Sequence, residues 1–153
     1  MERIERTALR NLIHNEEYSR KVLPFIKEDY FSDRLERLLF KEIYRFITKF
    51  NALPTKEALS IEINDSKDIT EDEYKKITDI IATLNPEKIN LEWLVETTEK
   101  FCKDRAIHNA ILSGIQIIDG KDKKHTPEYL PDLLSDALSV SFDQKVGHDY
   151  LLE

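Results

Sequence analysis

The stretch from Asn90 to Gly120 constrains this chain most, because it reads as one long helix that is apolar on more than one side. Asn90 is an N-cap residue, and Gly120 stands where a helix ends on a left-handed residue. About 29 residues at about 1.5 Å each make a rod of roughly 43 Å, which is expected to project from any core so small a chain can build. In its second half Ala106, Ala110 and Ile117 mark one face, Ile107, Ile111 and Ile118 an adjacent one, and Leu112 and Ile115 widen the band. Two apolar faces call for two partners.

One partner follows directly in the sequence. After the polar turn Lys121 to His125, Thr126 is expected to cap a new segment with Pro127 at its first position. Leu130, Leu133, Leu134, Ala137 and Leu138, with Phe142 beyond them, then form a return stripe. The product is an αα-hairpin with a short loop. Its remaining face is expected to be covered by another copy or another protein.

Upstream, the pattern is a helical bundle. A short helix runs from about Arg3 to His14, and a second starts at the N-cap Asn15 and ends near Pro24. A single turn at Asp29 to Phe31 precedes the main core helix, whose expected stripe is Leu35, Leu38, Leu39, Ile43, Phe46, Ile47 and Phe50. Pro54 and Thr55 stop that helix and cap the next, which reaches Asn64. Thr70 and Glu73 make a capping box for the one after, which Asn85 and Pro86 end. Trp93 reads as the aromatic anchor that packs the long helix on the bundle, with an exposed partner contact as the other reading.

Composition agrees with this. Only 3 Gly and 5 Pro, with 35% charged residues of mixed sign and 41% apolar ones, suit an all-α domain with a real core. The expected organisation is a compact helical bundle over 1–86, a long projecting helical hairpin over 90–140, and the start of an interdomain linker over 141–153. A formal charge of -7 disfavours a domain that holds nucleic acid through its own phosphate contacts. One cysteine, a charged N-terminus and no apolar run of about 20 residues lead to an expectation of a cytoplasmic protein with no membrane span.

The chemistry is mostly negative. No G-x-x-x-x-G-K-[ST] loop is present, so nucleotide binding of that kind is not expected here. Cys102 and His108 lie six apart, whereas metal ligands sharing one helical face sit three or four apart, so Cys102 reads as a packing residue. The histidines at 14, 125 and 148 suit helix ends and polar loops. The basic loop from Lys121 to His125 reads as solvated, or as a contact for an acidic partner or DNA, although Asp119 and Asp122 dilute its charge.

Several segments carry a family resemblance. Asp29-Tyr-Phe-Ser32, Trp93-Leu-Val-Glu-Thr-Thr-Glu-Lys100, Arg105-Ala-Ile-His-Asn-Ala110, Pro131-Asp-Leu-Leu134, Ala137-Leu-Ser-Val-Ser-Phe-Asp143 and Val146-Gly-His-Asp-Tyr150 fall in an order and spacing that resembles the N-terminal domain of DnaB-type replicative DNA helicases of T-even-like phages. The resemblance implies a collar of N-terminal domains that pair through their hairpins, a trimer of dimers on a six-membered ring. It implies primase and a helicase loader as partners. It also implies a motor domain beyond this chain that uses ATP and Mg and travels on single-stranded DNA, and a host cytoplasm as the setting.

Under that resemblance the association and hairpin-packing positions are Ile107, Ile111, Ile115, Ile118, Leu133, Leu134 and Leu138. The linker comprises Ser141, Phe142, Asp143, Val146, Gly147, His148, Asp149 and Tyr150. This chain itself is expected to carry no catalytic, cofactor or metal residues. Two other readings fit the same residues without the resemblance: a free-standing helical adaptor that binds a replication protein, and a small helical enzyme, which would need a concave cluster of titratable side chains.

Overall fold

The computed structural model describes residues 3–142. Among the described residues the regular structure is helical, seven α-helices and two short 3-10 turns, with no strand. The chain divides into two units, one ending at Val95 and the other starting at Glu96.

The first unit holds α1 (Ile4–His14), α2 (Glu16–Val22), a 3-10 turn (Glu28–Tyr30), α3 (Arg34–Phe50), α4 (Lys56–Asn64), α5 (Glu71–Thr83) and the first turn of α6 (Leu91–Ile118). Its helix starts follow the local sequence. Asn15 accepts from the Tyr18 amide at 3.0 Å, Asp33 from the Leu35 amide at 3.1 Å, and Thr55 from the Ala58 amide at 3.0 Å. Thr70 and Glu73 bond reciprocally, both at 3.1 Å, as a capping box. The Glu73 carboxylate also receives Arg34 at 2.7 Å, and that bond is the main cause holding its carboxyl below the usual range. Thr70→Ala is expected to lose about 1 kcal/mol, read as a lower urea midpoint with an unchanged slope.

Helix ends are less local. α5 stops without a glycine, at Leu84 before Asn85 and Pro86, and its last carbonyls are satisfied from other helices. Arg10 donates to the Thr83 carbonyl at 3.2 Å and His14 Nε2 to the Leu84 carbonyl at 2.7 Å. Lys56 donates to the Ala82 carbonyl at 3.4 Å and to Asn85 at 2.7 Å. Cationic side chains from α1 and α4 thus meet the negative end of the α5 dipole.

The core face of α3 is rotated from the expected stripe. The buried positions are Glu36, Leu39, Phe40 and Ile43, while Leu35, Leu38, Phe46 and Ile47 are half-buried and Phe50 is exposed. Two contacts set this rotation. Phe40 stacks on Phe31 with ring centres 5.1 Å apart. Glu36, fully buried, accepts from Arg6 at 2.7 Å and from Arg3 through the same oxygen. Phe50, in the last turn, pairs with Phe46 at 4.7 Å and lies under the Lys49 ammonium.

Trp93 also departs from expectation, because it is 53% exposed while Leu94 beside it is fully buried. Asn90 accepts from the Trp93 amide at 2.8 Å and so fixes where α6 starts. At about 100° of rotation per residue, that start turns Leu94 inward and leaves Trp93 outward. Leu94 is the anchor.

The second unit holds the rest of α6, a 3-10 turn (Pro127–Tyr129) and α7 (Leu130–Leu138). α6 ends as its sequence indicates. Gly120 takes φ +75°, its amide meets the Ile117 carbonyl at 3.2 Å, and the Lys121 amide reaches the Gln116 carbonyl at 2.9 Å, the paired bonds of a Schellman end. Asp122 then organises the loop by accepting from the Lys124 amide at 2.8 Å, the His125 amide at 3.2 Å and His125 Nδ1 at 3.0 Å. Thr126 does not cap the following turn with its side chain. Its hydroxyl serves the Glu128 carboxylate instead, the leading cause of the lowered pKa there. α7 begins three residues later than a Thr126 cap would place it, with Pro131 in its first turn, where no amide is needed.

Candidate functional site

The described residues of the second unit present an apolar surface. On α6, Ala110 and Ile117 are buried, and Gly114 between them is buried too. A Cβ at Gly114 would lie 3.3 Å from Leu130 Cδ2, so Leu130 of α7 packs against α6 where α6 has no side chain. On α7, Ala137 is buried and Leu130 and Leu133 are half-buried. These residues form the internal seam of the hairpin.

The seam leaves a second apolar set outside it. Ile111 and Ile115 are each 50% exposed and Ile118 is 67% exposed. Their spacing of four and three residues places them in one row along α6. Leu134 and Leu138, four apart on α7, are exposed as well. Of the positions expected to serve association or hairpin packing, Ile111, Ile115, Ile118, Leu134 and Leu138 are therefore open, whereas Ile107 and Leu133 are half-buried. Leu112 is 50% exposed and lies beside a depression lined with Ser113, Gln116 and Asp122.

The width of the apolar band on α6 was readable from composition and period alone. The role of Gly114 was not. In the sequence it is one scattered glycine, and its use as the point of close approach depends on Leu130 arriving from another helix. Gly114→Leu is expected to wedge the seam and lose about 1–3 kcal/mol, seen as a lower melting temperature. Gly114→Ala is expected to stay near neutral, because the crowding at 3.3 Å is offset by a helix-propensity gain of about 1 kcal/mol.

Glu99 is a second residue that sequence reading passed over. It lies on α6, and its Oε2 accepts from the Phe142 amide at 2.9 Å and from the Ser141 hydroxyl at 3.2 Å. Phe142 is only 8% exposed. The expected linker residues Ser141 and Phe142 are thus bonded to α6, while Asp143, Val146, Gly147, His148, Asp149 and Tyr150 lie outside the described residues.

Cys102 is fully buried and its thiol is pushed up to about 12, first by burial and then by the Glu99 charge, so it carries no thiolate at neutral pH. Among the described residues no three His, Cys, Asp or Glu side chains gather to hold a metal, and no helix is long and apolar enough to cross a membrane. A cleft of about 140 Å³ in the first unit is lined by Ser19, Leu23, Ile47 and Leu53, and its charged residues Glu16 and Arg20 bond to each other at 2.7 Å. It offers no paired acid and base for catalysis.

No protein-family model matches the chain. Over 151 residues it is 32% identical to a DnaB-like replicative helicase of Enterobacteria phage T4. The match takes in 94% of this chain and 32% of that protein, so the chain spans about a third of the length of its curated relative.

Proposed function

We propose, on the premise that this chain corresponds in sequence to about a third of a phage DnaB-like replicative helicase, that it is the N-terminal collar domain of such a helicase and pairs with a second copy through its hairpin. The observation that carries the pairing is the exposed row Ile111, Ile115 and Ile118 on α6, together with the exposed Leu134 and Leu138 on α7. These side chains are 39–67% exposed, so covering what remains open would gain about half of the roughly 1.5–3 kcal/mol of a full burial for each. A second copy supplies the same apolar row, and a two-fold axis lets one surface cover itself.

The remaining assignments follow from the same proposal. ATP and Mg belong to a motor domain that this chain does not supply, since its sequence has no phosphate-binding loop. Single-stranded DNA is then handled chiefly by that motor, and primase and a helicase loader are the protein partners of the collar. The setting is the cytoplasm of an infected host.

The test is molar mass by light scattering over a concentration series. A dimer, or a multiple of one, supports pairing through the hairpin. A monomer at high concentration overturns it and leaves the apolar row to a different protein.

A further inference from the structure

We propose that Glu99 is a positioning residue that latches the end of the hairpin, holding Ser141 and Phe142 against α6. Three observations carry this. A single carboxylate oxygen accepts both the Phe142 amide and the Ser141 hydroxyl, at 2.9 and 3.2 Å. The Phe142 side chain is buried although it follows the end of α7 by four residues. Between them, α7 ends on ordinary local bonds, with Ser139 Oγ donating to the Asp136 carbonyl at 2.8 Å and the Val140 amide to the Ala137 carbonyl at 3.4 Å. The Glu99 carboxylate ties both residues to α6, and hydrogen bonds to a charged acceptor are about twice as strong as neutral ones.

Two bonds to one oxygen restrain both the backbone and the side chain at the exit. A chain held at two successive residues loses torsional freedom at residues 141 and 142. If the collar reading holds, this latch keeps the first two linker residues on the hairpin. The latch itself does not depend on that reading, because it concerns residues 99, 141 and 142 of this chain alone.

Amide hydrogen exchange on the whole chain tests it, with Glu99→Leu and Glu99→Gln compared to the wild type. The Phe142 amide is expected to exchange at least tenfold faster in Glu99→Leu, with the amides of α6 around Ala110 unchanged. In Glu99→Gln the amide oxygen still accepts, so part of the protection is expected to remain. Equal Phe142 protection in wild type and Glu99→Leu, with α6 intact, overturns the latch. Loss of α6 protection in both variants would overturn it too, by making Glu99 a general support of the helix. Light scattering on the same variants keeps the two proposals separate, since the latch predicts an unchanged molar mass whether that mass is of a monomer or a dimer.

Discussion

Ile111→Asp is expected to remove self-association while leaving the helical content of the chain unchanged. In a single copy the Ile111 side chain is half in solvent, so the substitution there loses about half of a full burial, about 1 kcal/mol, and a helix-propensity difference of a few tenths of a kcal/mol. In a two-fold pair each copy brings the charge to the interface. The pair then loses the burial of the open half of two isoleucines, about 0.7–1.5 kcal/mol each, and must also desolvate two unpaired carboxylates, several kcal/mol more. A dissociation constant weakened by at least about a hundredfold follows, since about 1.4 kcal/mol is a factor of ten. Sedimentation or light scattering reads this directly. Circular dichroism guards against the trivial outcome of an unfolded variant. An oligomer of unchanged mass would take this face of α6 out of the interface.

The largest effect on stability is expected at Glu36. It is fully buried, and Oε2 takes both Arg3 and Arg6 while Oε1 has no hydrogen-bond partner. Replacing both arginines with Met keeps most of their apolar stems and leaves the carboxylate buried and unpaired. Breaking a buried pair in this way loses about 3–5 kcal/mol, a large part of the roughly 5–15 kcal/mol available to a domain. The melting temperature should fall by about 6–20 °C, at about 2–4 °C per kcal/mol for a chain of this length. Adding Glu36→Met to the same variant is expected to recover most of the loss, because the isolated charge is then gone. A small loss without recovery would show that the ion pair is not what fixes α1 against α3.

The rotation of α3 shows why its core face could not be read from one helix. Its apolar positions admit two faces about a third of a turn apart, and period alone favours Leu35, Leu38, Leu39 and Ile43. The structure uses the face with Phe40 and Glu36. Phe31 and the two arginines of the N-terminal segment choose it, and their arrival is a tertiary event. A glutamate on a helix surface looks solvated in sequence. Only a partner brought from 30 residues away, as Arg6 is, allows it to be buried.

Trp93 and Gly114 make the same point from opposite sides. A tryptophan beside leucines reads as an anchor, yet the cap at Asn90 sets the helical phase and Leu94 takes the inward position. A glycine within a helix reads as a weak point, yet it is where Leu130 approaches. In the candidate surface itself, the positions Ile111, Ile115, Ile118, Leu134 and Leu138 were named from periodicity and resemblance together. Which of the seven proposed residues stay open, and which turn into the hairpin seam, depended on the packing of α7.

The sequence by itself determined the all-helical class, six of the seven helices to within a residue or two, the start caps at Asn15, Thr55, Thr70 and Asn90, and the left-handed end at Gly120, whereas α7 starts three residues later than the expected cap at Thr126 would place it. These are short-range matters, settled by a side chain and a backbone group within four positions of each other. The tertiary structure alone decided which side of α3 is core, how α5 ends on the cations of α1 and α4, and how Glu99 holds Phe142. Each of those needs two groups far apart in the chain to meet in a low-dielectric or sterically closed place, and no local pattern encodes that meeting.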